Sequence, residues 1–167
     1  EAFFFHIGQD AANPLPGGVN FLVIADLGTI TNDDVASIGI VYSGVGDVAE
    51  GSPAEFQLTE ANGVKLDQAY TITLSYGGTI DPATDLSSPP ASLTVDGSTT
   101  FPLTFTVDTA TDALIEGTEV LTVGLVDPEV PDSAQVSVGG TANANVTSAD
   151  TASIGIVYSG VDRKSVV

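Results

Sequence analysis

The segment Tyr70-Thr71-Ile72-Thr73-Leu74-Ser75-Tyr76 decides the fold. Its apolar residues occur at every second position, which is typical of a strand with one buried face. Residues 38–42, 56–58, 101–107, 121–125 and 142–146 alternate in the same way. Turns rich in Gly, Pro and Asp separate these segments, and no long segment carries the 3.6-residue stripe of a helix. The sequence therefore predicts an all-β protein, an antiparallel immunoglobulin-like β-sandwich of about seven strands.

An internal repeat indicates how the chain is organised. The octapeptide Ser37-Ile38-Gly39-Ile40-Val41-Tyr42-Ser43-Gly44 recurs letter for letter at 153–160. Internal identity of this kind is the signature of a repeat array. We therefore expect a tandem repeat fragment: the C-terminal strands of one repeat at 1–34, a complete repeat at 35–150, and the first strand of a following repeat at 151–161.

The repeat also predicts partners. Neighbouring repeats of the same chain are the first expected partners. Because the two octapeptides are identical, either one fits the same place in the sandwich, and strand swapping or self-association between copies is a further expectation.

The last six residues differ from the rest. Residues 162–167 hold two of the three basic residues in the chain. They also match the in-frame translation of a widely used sequencing adapter. We predict that they are a non-native tail.

The charge balance excludes several classes of function. The 167 residues include 22 acids, three bases and no cysteine, for a formal net charge of −19. Such a chain does not attract nucleic acid phosphates or an anionic membrane surface. No apolar run approaches the ~18 residues of a membrane span, so we expect no membrane insertion. The lack of cysteine excludes disulfides and thiolate zinc sites.

The acids of the complete repeat concentrate at strand ends and in loops. They are Asp47, Glu50, Asp81, Asp85, Asp108, Asp112, Glu116, Glu119 and Asp150. Carboxylates crowded at one end of a sandwich repel each other, and a hard divalent cation removes that repulsion. Calcium suits ligands gathered from several loops, because it accepts six to eight oxygens in flexible geometry. Solvated acids on a salt-tolerant surface are an alternative that also explains the total charge well.

The stretch from Asp112 to Val123, Asp-Ala-Leu-Ile-Glu-Gly-Thr-Glu-Val-Leu-Thr-Val, resembles the D-x-x-x-E-G-x-E signature of Calx-beta domains. These are calcium-binding modules of sodium/calcium exchangers that also occur in tandem in large bacterial surface proteins. Three further signatures fall in the family's order: residues 48–51, residues 78–86, and a closing strand that ends in acids. The resemblance covers residues 1–160 and implies a Calx-beta-like sandwich.

The resemblance also implies a set of calcium ligands at one end of the sandwich. Carried over residue by residue, they are Glu50, Asp85, Asp112, the backbone carbonyl of Leu114, Glu116, Glu119 and Asp150. Two positions depart from the calcium-sensing members. Thr111-Asp112 replaces an aspartate pair, and Ser148-Ala149-Asp150 replaces consecutive aspartates. Fewer carboxylates imply one or two calcium ions (Ca2+).

The expected function is a calcium-binding structural and adhesive repeat of a large extracellular or cell-surface protein, in which calcium stiffens the junction between repeats. One alternative is a regulatory calcium sensor. Another is a carbohydrate- or surface-binding module, which needs an exposed aromatic platform. Nothing in the sequence indicates an enzyme, since a single histidine has no readable catalytic partner. We therefore assign no catalytic residues and no cofactor other than calcium.

Overall fold

The computed structural model describes residues 2–5, 26–29, 33–126 and 135–160. The chain divides into two compact units, Glu1–Asp34 and Val35–Val167. In the first unit, β1 (Ala2–Phe5) pairs antiparallel with β2 (Asp26–Thr29). The non-native tail predicted at 162–167 lies outside the described residues, as does most of the first unit.

The second unit is a sandwich of two sheets. Its strands are β3 (Ala36–Tyr42), β4 (Val48–Ala49), β5 (Pro53–Glu60), β6 (Tyr70–Gly78), β7 (Ser92–Val95), β8 (Leu103–Asp108), β9 (Glu119–Val126), β10 (Val136–Val138) and β11 (Thr141–Thr147). One sheet has the order β10-β3-β5-β8, and the other has the order β4-β11-β9-β6-β7. No described residue lies in a helix, so no helix is available there to span a membrane.

The alternating residues of the sequence fill the core between the two sheets. In β5 and β6, for example, Phe56, Leu58 and Ile72 are fully buried, while the residues between them face outward. Phe56 also contacts two further rings, Tyr42 edge-on at 5.5 Å and Phe105 stacked at 5.8 Å between ring centroids. Burial of this apolar surface is the main force that holds the sheets together. The predicted all-β sandwich is confirmed.

The sheets differ from the prediction at two edges. The short strand β10 pairs parallel with β3, and β4 pairs parallel with β11. All other pairings between the described strands are antiparallel. Strands of two or three residues carry too little alternation to be found from the pattern, and a pattern on one strand does not specify the direction of its neighbour.

The strand expected from the second octapeptide is not formed. Residues 151–160, called the exposed segment below, lie in no strand, and every one of them is exposed. Ile156 is 99% exposed, whereas the equivalent Ile40 in β3 is 8% exposed. The difference arises because β3 pairs with β5 and β10, while the described residues offer the exposed segment no such neighbour.

Strand direction places the loops at two ends of the sandwich. The register sets Pro53 opposite Asp108 and Val146 opposite Glu119, so β8 and β11 end where β5 and β9 begin. We call this end the acidic pole; it carries Glu50, Asp85, Asp112, Glu116 and Glu119. The opposite pole carries the turns that follow β5, β7 and β10.

Candidate metal centre

Three carboxylates meet at the acidic pole. Glu50 follows β4, and Asp112 and Glu116 belong to the loop between β8 and β9. One oxygen from each of the three lies within 4.8 Å of the other two. Glu50 and Glu116 are partly buried, and Asp112 is exposed. The loops therefore bring together side chains that are more than sixty positions apart in the sequence.

The turn that carries Glu50 is fixed by its backbone. The Glu50 N–H donates to the carbonyl of Thr147 at 3.0 Å, and the Ser52 N–H donates to the carbonyl of Ala49 at 3.0 Å. Gly51 has a φ of +76°, and a Cβ at this position would collide with the methyl group of Thr111. Glycine is therefore required here, both for the left-handed backbone and for the close approach of the two loops.

A buried threonine joins this turn to the loop that carries Asp112. Thr109 is 4% exposed. Its hydroxyl donates to the carbonyl of Ser52 at 2.8 Å and accepts from the Ser52 N–H at 3.1 Å. The backbone of Asp112 then reaches Glu50 directly, since its N–H donates to Glu50 Oε1 at 3.3 Å. A threonine at a strand end is too common for the sequence to have indicated this role.

The Asp112 side chain organises its own loop. Its Oδ1 accepts a hydrogen bond from the N–H of Leu114 at 2.7 Å, which is the short-range pattern of an Asx turn. An oxygen of the same carboxylate lies within 4.8 Å of oxygens of Glu50 and Glu116. Asp112 therefore both shapes the loop and contributes an oxygen to the cluster.

The loop after β6 is anchored beside Glu119. Gly78 has a φ of +108°, and a Cβ there would overlap the carbonyl of Val120. The next residue, Thr79, accepts from the Val120 N–H at 2.7 Å and donates its own N–H to the Val120 carbonyl at 3.0 Å. These contacts hold the start of the loop against the beginning of β9.

Asp85 lies further along the same loop. Its backbone carbonyl accepts from the N–H of Ala110 at 2.8 Å. Its carboxylate accepts from the N–H of Asp81 at 2.6 Å and from the hydroxyl of Thr84 at 2.8 Å. Asp85 is therefore tied by its backbone to the loop that carries Asp112, and its charge is part of the acidic pole.

Tyr76 fixes the far end of this loop. Its hydroxyl donates to the carbonyl of Pro90 at 2.5 Å. Burial raises the pKa of Tyr76 to about 12, so the hydroxyl keeps its proton at neutral pH. The loop that carries Asp85 is held at both ends.

The crowding of the acids raises the pKa values of two of them. Burial and the negative charges of Glu119, Asp112, Asp85 and Glu50 raise the pKa of Glu116. Burial and the charges of Asp85, Glu50 and Asp112 raise the pKa of Glu119. Like charges disfavour the ionised form in this way when no cation balances them. Five of the predicted ligand side chains therefore act on one another.

The two remaining predicted ligands are connected to the cluster through Ser148. The Ser148 hydroxyl donates to the carbonyl of Leu114 at 3.3 Å and accepts from the N–H of Asp150 at 3.2 Å. Leu114 therefore points its carbonyl toward the residues that follow β11. The Asp150 carboxylate is not among the charges that raise the pKa values of Glu116 and Glu119.

The geometry of the three central carboxylates fits one calcium ion. Calcium binds oxygen at about 2.4 Å, so two ligands on opposite sides of the ion are about 4.8 Å apart. The oxygens of Glu50, Asp112 and Glu116 all fall within that separation. The donor set is made of hard oxygens without sulfur or imidazole, which calcium and magnesium prefer over zinc. The turn that carries Glu50 and the loop that carries Asp112 and Glu116 adapt more readily to calcium than to the strict octahedron of magnesium.

The fold and the acidic pole define a class of domain, a β-sandwich with carboxylates collected from several loops at one end. Among solved structures, the apo form of the Calx CBD1 domain is similar to this chain. The TM-score is 0.51 at 16% identity, and the match covers 68% of this chain and 98% of that domain. This similarity confirms the Calx-beta fold that the sequence resemblance implied; at 16% identity it establishes the fold alone.

A second similar structure is that of CBD12 from CALX1.2. Its TM-score is 0.49 at 16% identity, and the match covers 68% of this chain and 44% of that one. No protein-family model matches the sequence, and no curated protein matches it.

Proposed function

We propose that the second unit is a calcium-binding structural module of a tandem-repeat protein. The observation that carries this proposal is the meeting of three carboxylate oxygens, from Glu50, Asp112 and Glu116, within 4.8 Å of one another. Without a cation the arrangement is electrostatically unfavourable, as the raised pKa values of Glu116 and Glu119 indicate. A divalent ion converts this repulsion into attraction.

Each group has a distinct part in binding the ion. Glu50, Asp112 and Glu116 hold it directly, and Asp85 and Glu119 add negative charge around it. The Leu114 carbonyl accepts from the Ser148 hydroxyl and has a second lone pair, so it can serve as a further ligand without losing that hydrogen bond. This set is sufficient for one ion, with Asp85 and Glu119 as the acids available to a second. Occupancy of one or two ions follows.

The position of the site gives calcium a mechanical role. Ser148 and Asp150 directly follow β11, so they are the first residues of the segment that leaves the sandwich. The Ser148–Leu114 hydrogen bond already ties this segment to the ligand loop. An ion in the loop stiffens both the loop and the exit from the domain, which fixes the direction of whatever repeat follows.

This role suits an extracellular or cell-surface adhesive protein. Calcium is abundant outside cells, and extracellular modules bind it with affinities of roughly 10⁻⁴ to 10⁻³ M. A set of three close carboxylates with two more nearby is consistent with that weak range. Stiff modules of this kind extend a binding region away from the cell, and the domain itself performs no catalysis.

The test is a calorimetric calcium titration of the whole chain and of two matched variants. Asp112→Asn removes one central ligand and keeps the shape of the side chain. Asp67→Asn removes an acid from the opposite pole, where Asp67 accepts only from the hydroxyl of Tyr70 among the hydrogen bonds of the described residues. We expect binding by the native chain and by Asp67→Asn, and at least about tenfold weaker binding by Asp112→Asn. Equal affinities for all three proteins would contradict the proposal.

A further inference from the structure

The turn that follows β5 contains the dipeptide Asn62-Gly63. It lies at the opposite pole, away from the candidate metal centre. Asn62 is exposed, and Gly63 has a φ of +70°, with open space where a Cβ would stand. A glycine after asparagine leaves the backbone nitrogen open to attack the side-chain amide, because no Cβ shields it.

The carboxylate of Glu60 holds this turn. It accepts from the N–H groups of Asn62 at 3.0 Å, Gly63 at 2.5 Å and Val64 at 3.1 Å, and also from that of Ser37 at 3.2 Å. Burial alone raises the pKa of Glu60, but the four N–H donors outweigh it and lower the pKa below its ordinary value. Glu60 is therefore ionised at neutral pH, and its charge strengthens these hydrogen bonds.

The side chain of Asn62 is also restrained. Its Nδ2 donates to the backbone carbonyl of Val35 at 2.6 Å. Val35 is the first residue of the second unit. If the Gly63 nitrogen attacks the Asn62 amide, the attacking group and the leaving group are thus each held by a separate hydrogen bond.

We propose that Asn62 is a site of spontaneous deamidation, and that Glu60 sets its rate by holding the N–H of Gly63. In the reaction, the Gly63 nitrogen gives up its proton to water and bonds to Asn62 Cγ. Water returns a proton to Nδ2, the bond between Cγ and Nδ2 breaks, and ammonia leaves. Water then opens the five-membered succinimide at one of its two carbonyls, which yields aspartate or isoaspartate at position 62. No oxidant or reductant takes part.

The product changes the contact with Val35. A carboxylate at position 62 cannot donate to the Val35 carbonyl, so that hydrogen bond is lost. The new negative charge also lies in the same turn as Glu60, and like charges disfavour the closed turn. Deamidation therefore releases the turn after β5 from the residue at which the second unit begins.

The test follows the mass and the peptide map of the whole chain during incubation at neutral pH. The native protein is compared with the same protein unfolded in urea, and with Glu60→Ala, Glu60→Gln and Asp67→Ala. The loss of a charge-assisted hydrogen bond is expected to speed deamidation of Glu60→Ala roughly tenfold. Glu60→Gln keeps a neutral acceptor and is expected to fall between the two. Asp67→Ala, which changes an acid elsewhere at the same pole, is expected to match the native rate.

The urea comparison does not depend on whether the variants fold. In unfolded chain both restraints are absent, so deamidation is expected to be at least roughly tenfold faster than in the folded protein. Equal rates in the folded and unfolded chain would overturn the proposal. A slower rate in folded Glu60→Ala would overturn it as well, because Glu60 would then be acting as a base and not as a restraint.

Discussion

Replacing Asp112 with asparagine is expected to change stability in opposite directions with and without calcium. The Asn side chain keeps the Oδ1 that accepts from the Leu114 N–H, so the loop retains its shape. The substitution removes only the negative charge. Its effect therefore reports the electrostatics of the site and not a loss of packing.

The magnitude without calcium follows from the closeness of the carboxylates. Oxygens of Asp112 and Glu50 lie within 4.8 Å, and two unit charges at that distance repel by about 0.9 kcal/mol in bulk water. Relief of this repulsion raises the Tm of a domain of this size by about 4 °C in chelator at low salt.

With calcium the sign is expected to reverse. Calcium at about 10 mM, at a site with a Kd of about 0.1 to 1 mM, stabilises the folded state by about 1.4 to 2.7 kcal/mol. If Asp112→Asn no longer binds the ion, it loses the stabilisation by calcium and keeps only the relief of repulsion. In calcium its free energy of unfolding is then lower than that of the native protein by about 0.5 to 1.8 kcal/mol. The assay is thermal unfolding of both proteins in chelator and in calcium. A change of the same sign in both conditions would show that the charge of Asp112 does not act through calcium binding.

Three more perturbations follow from the structure. In chelator, Glu116 and Glu119 have raised pKa values in the folded state, so their ionised forms destabilise the fold when the pH is above those values. As the pH falls through the folded pKa values toward the ordinary glutamate pKa, the two side chains take up protons and this destabilisation is lost. Tm in chelator is therefore expected to rise over this pH range. Gly51→Ala is expected to lower Tm by roughly 4 to 8 °C and to weaken calcium binding, because the left-handed backbone costs about 1 to 2 kcal/mol and the new methyl meets Thr111. The exposed segment has no charge and no proline from residue 153 to 160, so it is expected to pair with a second copy of the chain. Ile156→Asp is expected to reduce this association, as measured by size-exclusion chromatography.

Each of these perturbations has a control in the chain. The pH effect is isolated by subtracting the profile of a Glu116→Gln/Glu119→Gln variant; identical profiles would contradict it. Gly46 has a φ of +75° with open space around it, so Gly46→Ala measures the backbone strain alone. An equal decrease in Tm for Gly46→Ala and Gly51→Ala would contradict a cost from the contact between the two loops. Val45 is fully exposed, and Val45→Asp is expected to leave association unchanged. A native chain that remains monomeric at high concentration and high salt would rule out pairing of the exposed segment.

Most of the fold could be predicted from the sequence because burial alternates along the long strands. Residues Ile38 and Ile40 in β3 and residues Leu121 and Val123 in β9 are buried where the pattern placed them. The octapeptide at 153–160 is identical to part of β3 and lies in no strand, and its assignment to the first strand of a following repeat stays a prediction. Identical residues adopt different structures there because a strand depends on hydrogen bonds to its neighbours, and local sequence does not contain them.

The candidate site could be predicted only as a set of residues. The signature around Asp112 and Glu116 identified the ligand loop, and the Glu50-Gly51 pair identified the turn that meets it. The contacts that align the two loops, such as the hydrogen bonds between Thr109 and Ser52, join residues 57 positions apart and have no local signal. The position of Asp150, linked through Ser148 and not through its carboxylate, depends on loop geometry in the same way.

The most direct test of the central claim is a crystal structure of the chain grown in calcium, with anomalous scattering used to locate the ion. We predict calcium bound by carboxylate oxygens of Glu50, Asp112 and Glu116, at about 2.3 to 2.6 Å from each. Calcium bound elsewhere, or carboxylates of these three residues turned away from one another into solvent, would contradict it.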